Sequence, residues 1–383
     1  MAPRMSTLRD PETPFLALDV ARLDANIARL RARLARLGVP LRLHVKTAKA
    51  LDVAARAFDG PTGPITVSTL AEAEYFAAAG WRNILYAVGI DPHKLPRAAA
   101  LVESGVDLTL LLDSAAQARA LAAYSAENGL AIPALIEIDA DGHRGGLAPE
   151  DPELLVVGRI LADAGILRGV LTHAGESYFA TTREAQRVAA ENERAAVVRA
   201  AARLREAELP CPVVSVGSTP TAHAAEDLSG VTEVRAGVYV FFDLVQAGIG
   251  VCELEDLALS AVVTVIGHQP SKGWILTDGG WMATSRDRGT AAQAADQGYG
   301  LVARTDGTLI EGLVMTGASQ EHGILTMRPG SEHSLPELPV GTRLRILPNH
   351  ACAMAAQYGQ YHVVDGSADS EAIIAVWQRM GGW

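Results

Sequence analysis

The chain has 383 residues, about half of them apolar and a fifth charged, so it is long enough for one large domain with a sizeable core plus a smaller one. Its formal net charge of -11, with no basic cluster, argues against a nucleic-acid or anionic-membrane partner. The opening MAPRMSTLRDPETP holds no apolar signal core and no run reaches spanning length, which points to the cytoplasm, and three cysteines (Cys211, Cys252 and Cys352) are too few for a disulfide framework.

PFLALDV (14–20) comes before the first helix, and it is free to pair into a second domain. The helix itself is expected to begin near Asp24, with Ile27, Leu30, Leu34 and Leu37 on one face and Gly38 as its stop. Eight short strand-like runs follow: 41–46, 65–68, 84–88, 107–113, 133–139, 169–175, 212–218 and 233–241. Segments of helical period separate most of them (70–79, 115–128, 150–164 and 182–207), long enough to return the chain for a parallel strand. Eight successive βα units predict an α/β fold built on a closed (β/α)8 TIM-type barrel over 20–250, with an open doubly wound sheet as the alternative. Beyond about 255, strands joined by turns, with an Asp-Gly turn at Asp306 and Gly307, predict a C-terminal mainly-β domain formed by 1–19 and 251–383.

Several residues have the chemistry for a site at the barrel mouth. Alternation in LRLHVK puts Leu41, Leu43 and Val45 on one face and Arg42, His44 and Lys46 on the other. An amine at the carboxyl end of a barrel strand can form a Schiff base with a carbonyl group; Lys49, past the strand, is the weaker candidate. The turn Gly217-Ser218-Thr219 after the seventh strand offers amides and hydroxyls to a phosphate, aided by Gly237 and Tyr239 after the eighth. Elsewhere such a turn is often only a helix cap. IDADGHRGG and LTHAGESY bring Asp141, His143, Arg144, His173 and Tyr178 to the same rim. In LPNHACA, His350 and Cys352 stand two apart, which in a strand puts imidazole and thiolate on one face, a donor pair suited to zinc or another divalent ion. His322 in SQEHGIL is a further candidate base of the β domain.

Read together, TPFLALDVARLDANI, LRLHVKTAKA, IEIDADGHRGG, LTHAGESY, VSVGSTPTA, TEVRAGVYVFFDL, DGGWMATSRDRGT, QEHGIL and LPNHACA resemble, in order and over nearly the whole chain, the fold-type III pyridoxal-phosphate family, in its D-threonine aldolase and D-serine dehydratase branch. The resemblance implies pyridoxal 5'-phosphate joined to Lys46 and held by His44, Arg144, Tyr178, Gly217, Ser218, Thr219, Gly237 and Tyr239. Lys46 and Arg144 would be catalytic groups, and the base would be His173, His322 or a metal-bound hydroxide. It also implies a divalent ion on His350 and Cys352 (manganese, with zinc, magnesium or cobalt as alternatives) and a homodimer. The implied reaction is retro-aldol cleavage of D-threonine and other D-β-hydroxy-α-amino acids to glycine and an aldehyde. Some aldolases of the branch have aspartate in place of Cys352 and the dehydratases have cysteine, so the pair does not choose the reaction; GWMATSRDRGT and VYVFFDL look closer to the aldolases. Dehydration of D-serine or a related D-3-hydroxy-amino acid is the alternative, followed by an amino-acid racemase and a non-catalytic pyridoxal-phosphate carrier.

Overall fold

The computed structural model describes residues 6–366 and 371–383; 1–5 and 367–370, both in the expected β domain, lie outside the described residues. The chain divides into two compact units, Arg29–Gly237 with Gly382–Trp383, and Met1–Ala28 with Val238–Gly381. No helix among the described residues is long and apolar enough to cross a membrane.

In the sheet of the second unit, β1 (Phe15–Asp19) pairs with later strands, as PFLALDV allowed. In the first unit, eight parallel strands close into a barrel: β2 (Leu41–His44), β3 (Ile65–Val67), β4 (Asn83–Gly89), β5 (Asp107–Leu112), β6 (Ala134–Ile138), β7 (Leu167–Thr172), β8 (Val213–Val216) and β9 (Glu233–Ala236). Closure comes from β9 lying beside β2, with Leu41 opposite Val234. Helices such as Leu70–Ala78, Ala115–Asn128 and Arg183–Glu206 return the chain between strands. Each starts where a hydroxyl at Thr69, Ser114 or Thr182 accepts an amide hydrogen bond in the first turn, a cap of about 1 kcal/mol. The expected barrel is therefore present, but three local details differ. The first helix runs Val20–Leu37, four residues earlier than Asp24 suggested, because the Asp19 carboxylate accepts from the Arg22 amide and fixes its start. β2 stops at His44, which leaves Lys46 in the turn beyond it. β9 stops at Ala236, so Tyr239 sits in the 3-10 turn Val238–Val240 and not on a strand.

The barrel interior is partly polar. Arg42 Nε donates to Glu233 Oε2 at 2.8 Å, Ser215 Oγ donates to Glu233 Oε1 at 2.8 Å, and Arg235 Nε donates to Ser215 Oγ at 2.9 Å. The other arm of Arg235 donates to the Thr172 carbonyl. Buried charge is tolerated only where it is paired in this way.

The second unit holds a nine-stranded sheet, with β10 (Leu259–Gln269), β11 (Trp274–Thr277), β12 (Gly300–Arg304), β13 (Leu309–Ala318), β14 (Gly323–Met327), β15 (Arg343–Pro348), β16 (Gln360–Val364) and β17 (Ile373–Gln378) joining β1. The order is β11-β14-β13-β12-β15-β10-β1-β16-β17. The Asp306-Gly307 turn links β12 to β13 as expected. Alternate residues of β10, β13 and β15 (Val263, Val265, Leu313, Met315, Leu344 and Ile346) fill its core.

Candidate active site

The rim of the barrel gathers cations around two neutral imidazoles. His44, at the end of β2, is held well below the usual histidine range by burial and by the charges of Lys46 and Arg235. His173 follows β7, and its Nδ1 lies 2.6 Å from the Gly217 carbonyl, so Nδ1 carries the proton and donates it. Burial lowers His173 to about 3, against the Gly217 bond, and Lys46, Arg235 and Arg144 push in the same direction as burial. Lys46, Arg144 and Arg235 are thus close enough to act on the same ring. The Tyr178 ring is tilted against His173 at 6.2 Å between centroids.

Neutral His173 has a measurable consequence. In the unfolded chain it would take up a proton as pH falls through its ordinary value of 6.5, whereas the folded protein resists this until about 3. Its stabilisation is complete above 6.5 and is lost as pH falls from there toward 3, at most on the order of 4–5 kcal/mol. Urea titrations of the cofactor-free protein across this range are expected to show that loss, and His173→Gln is expected to flatten it; an unchanged slope in the variant would assign the loss to other groups.

Two loops meet beside this cluster. Asp141 Oδ2 accepts the Glu176 amide at 2.9 Å, and His143 Nδ1 lies 2.7 Å from Glu176 Oε1, which ties the Arg144 loop to the Tyr178 loop. Arg144 is mostly exposed, with only a long 3.8 Å contact to Glu137. At the turn after β8, Ser218 Oγ accepts the Thr221 amide and lies 2.8 Å from Ser177 Oγ, while Thr219 Oγ1 is buried with no hydrogen-bond partner. Glycine is needed at 217 and 237 for close approach. A Cβ on Gly217 would lie 2.2 Å from the Arg235 carbonyl oxygen, and one on Gly237 would lie 2.8 Å from that of His44. Lys49, the weaker amine, is engaged: its Nζ is 3.0 Å from buried Glu72.

In the β unit, the alternation argument for His350 and Cys352 does not hold. β15 ends at Pro348, His350 occupies the position before the short helix Ala351–Ala355 without a side-chain capping bond, and Cys352 lies inside that helix. The two side chains nevertheless interact, within the first turn of this helix and not along a strand. His350 Nδ1 is 2.6 Å from Asp287 Oδ2, and buried Asp243 accepts the Ala351 amide at 3.0 Å. Burial works against charge on His350, but Cys352, Asp287 and Asp243 outweigh it and push the ring up to about 11. Among the described residues no three His, Cys, Asp or Glu side chains converge as a ready-made metal cage. His322 is exposed in the turn between β13 and β14, where its backbone carbonyl accepts the Ser319 amide. Tyr239 is fully buried in the β unit.

The structure therefore assembles His44, Lys46, Arg144, His173, Tyr178, Gly217, Ser218, Thr219 and Gly237 around the barrel mouth, and places His350 with Cys352 in the other unit. Sequence reasoning missed Arg235, Glu193, Asp287 and Asp243. Only Arg235 had a signal: it alternates with Glu233 on the inner face of β9.

Residues 18–245 match the family model of the alanine racemase N-terminal domain, and residues 258–364 match a putative serine dehydratase domain. The chain belongs to the fold-type III, alanine-racemase-like family of pyridoxal-phosphate enzymes. It is 55% identical to D-threo-3-hydroxyaspartate dehydratase of Delftia sp. strain HT23, over 98% of this chain and 99% of the relative. A solved cysteine-to-alanine variant of D-threo-3-hydroxyaspartate dehydratase, described as metal-free, superposes with a TM-score of 0.94 at 54% identity, covering 99% of this chain and 100% of that one. A D-serine dehydratase of Dictyostelium discoideum is 28% identical (86% and 87% covered), as is a D-threonine aldolase of an Arthrobacter (88% and 85%). The relatives of this fold-type III enzyme are thus lyases of both the dehydratase and the aldolase kind.

Proposed function

We propose that the chain is a pyridoxal-phosphate- and divalent-metal-dependent lyase of D-β-hydroxy-α-amino acids, and that it dehydrates D-threo-3-hydroxyaspartate. The observation that carries the choice of reaction is the 55% identity, end to end, with a dehydratase of that substrate, against 28% with an aldolase. The expectation of D-threonine cleavage, which leaned on two short segments, becomes the second reading.

The residues fit the groups this function needs. For the cofactor, the rim offers the Lys46 amine, an unpartnered buried hydroxyl at Thr219, the Gly217-Ser218-Thr219 turn for a phosphate, and a cationic surround from Lys46, Arg144 and Arg235. For the ion, His350 is buttressed by the Asp287 carboxylate as metal-binding imidazoles usually are, and Cys352 adds a sulfur donor. Two protein donors leave positions for water and substrate.

Pyridoxal phosphate, when bound, supplies a ring that draws electrons away from Cα, and a divalent ion, when bound, polarises a hydroxyl. The chain's own part is as follows. Lys46 Nζ would hold the cofactor and is the amine placed to take the Cα proton. His173, neutral and fixed through Nδ1, leaves Nε2 as an acceptor at the rim. Arg144 and Arg235 would balance the negative charge of cofactor and substrate. His350 and Cys352 would keep the ion, and Asp287 orients His350. Loss of the Cα proton and then of the β-hydroxyl gives dehydration; breaking the Cα–Cβ bond after loss of the hydroxyl proton gives the aldol products.

The test is product identification with purified enzyme, pyridoxal phosphate and Mn²⁺. D-threo-3-hydroxyaspartate is expected to give oxaloacetate and ammonia. Glycine with glyoxylate, and glycine with acetaldehyde from D-threonine, would establish the aldolase instead.

A further inference from the structure

Glu193 lies on the long helix Arg183–Glu206, whose composition is that of a solvated surface helix, yet it is only 2% exposed. A buried carboxylate needs partners, and here its hydrogen bonds come from the segments after β7 and β8, with the charge of Arg235 on β9 nearby. Glu193 Oε1 accepts from the Ala174 amide at 3.1 Å and from the Gly217 amide at 2.9 Å, and the Thr221 hydroxyl also bonds the carboxyl group. Ala174 is the neighbour of His173, and the carbonyl of Gly217 is the group that takes the His173 Nδ1 proton. The four groups form a closed ring of contacts: His173 to the Gly217 carbonyl, the Gly217 amide to Glu193, and Glu193 back to Ala174. One oxygen atom thus fixes the spacing of two turns from neighbouring strands.

We propose that Glu193 is a positioning residue that, by clamping the Ala174 and Gly217 amides, keeps His173 in the single tautomer that donates from Nδ1 and accepts at Nε2. The same clamp sets the Gly217-Ser218-Thr219 turn, so the inference deepens the reading of this turn as a phosphate holder and in that respect rests on it.

The deciding measurement is nitrogen NMR of histidine-labelled, cofactor-free protein, with fluorescence titration of pyridoxal phosphate in parallel. Wild type is expected to show His173 as one Nδ1-protonated tautomer. Glu193→Gln keeps an oxygen acceptor and is expected to preserve that signature; Glu193→Ala is expected to give a mixed-tautomer signal and about tenfold weaker cofactor binding, as when an outer-shell partner is lost. A folded Glu193→Ala protein with the wild-type His173 signal overturns the proposal. If that variant does not fold, hydrogen exchange in wild type decides: the Ala174 and Gly217 amides are expected to be strongly protected, and exchange at the rate of exposed loop amides overturns the clamp. A changed tautomer with unchanged pyridoxal phosphate affinity supports the clamp and tells against the phosphate reading of the turn, so the two failures are separable.

Discussion

Lys46→Ala is expected to give a colourless protein on incubation with pyridoxal phosphate and to lose turnover by about 10³-fold or more, the scale on which a nucleophilic or general-base amine contributes. Lys46 lies in the turn beyond β2, exposed, and close enough to His44 and His173 to depress both. Lys49→Ala is the matched control. Its amine is occupied by Glu72, so that variant is expected to keep the yellow colour even if it loses stability. A yellow, active Lys46→Ala enzyme would remove Lys46 from its role, and loss of colour in both variants would leave the choice between the two amines to peptide mapping after borohydride reduction.

The second large effect concerns the donor pair. His350→Ala is expected to leave the cofactor colour unchanged and to lower metal-stimulated turnover by roughly 10²-fold or more, since a Lewis acid contributes several kcal/mol to such a step. Asp287→Asn, which leaves the imidazole in place but weakens its buttress at 2.6 Å, is expected to cost about 10–100-fold in metal affinity. Cys352, Asp287 and Asp243 favour the protonated form of His350, and a ligand must be deprotonated, so binding of the ion is expected to release protons on calorimetric titration in buffers of different ionisation enthalpy. Full wild-type turnover in buffer stripped of metal would sink the metal half of the proposal.

Much of this was legible in the sequence because period and turn chemistry are local. The eight barrel strands and their connecting helices follow from apolar runs set between helical stretches, and β1 announced its place in the sheet by preceding the first helix. What failed were inferences that run a strand past its end. Lys46 and Tyr239 lie in turns, and His350 and Cys352 are joined through a helical turn after Pro348. Glu193 and Asp287 were hidden for a different reason. Each sits in a charged stretch, among Glu191 and Arg194 or between Arg286 and Arg288, where a sequence gives no sign of which single carboxylate turns inward. Burial of one charge among many is decided by tertiary contacts, and only coordinates reveal it.

The chain of contacts through the barrel interior starts on β2 with Arg42, passes through Glu233 on β9 and Ser215 on β8, and ends through Arg235 at the Thr172 carbonyl, one residue before His173. β2 and β9 are the first and last strands of the ring, so this relay crosses the seam where the barrel shuts. A chain that has not yet laid down β9 lacks Glu233 and Arg235, and with them the support beneath His173 and Gly217. The strand that seals the ring is therefore also the one whose side chains brace the residue before His173.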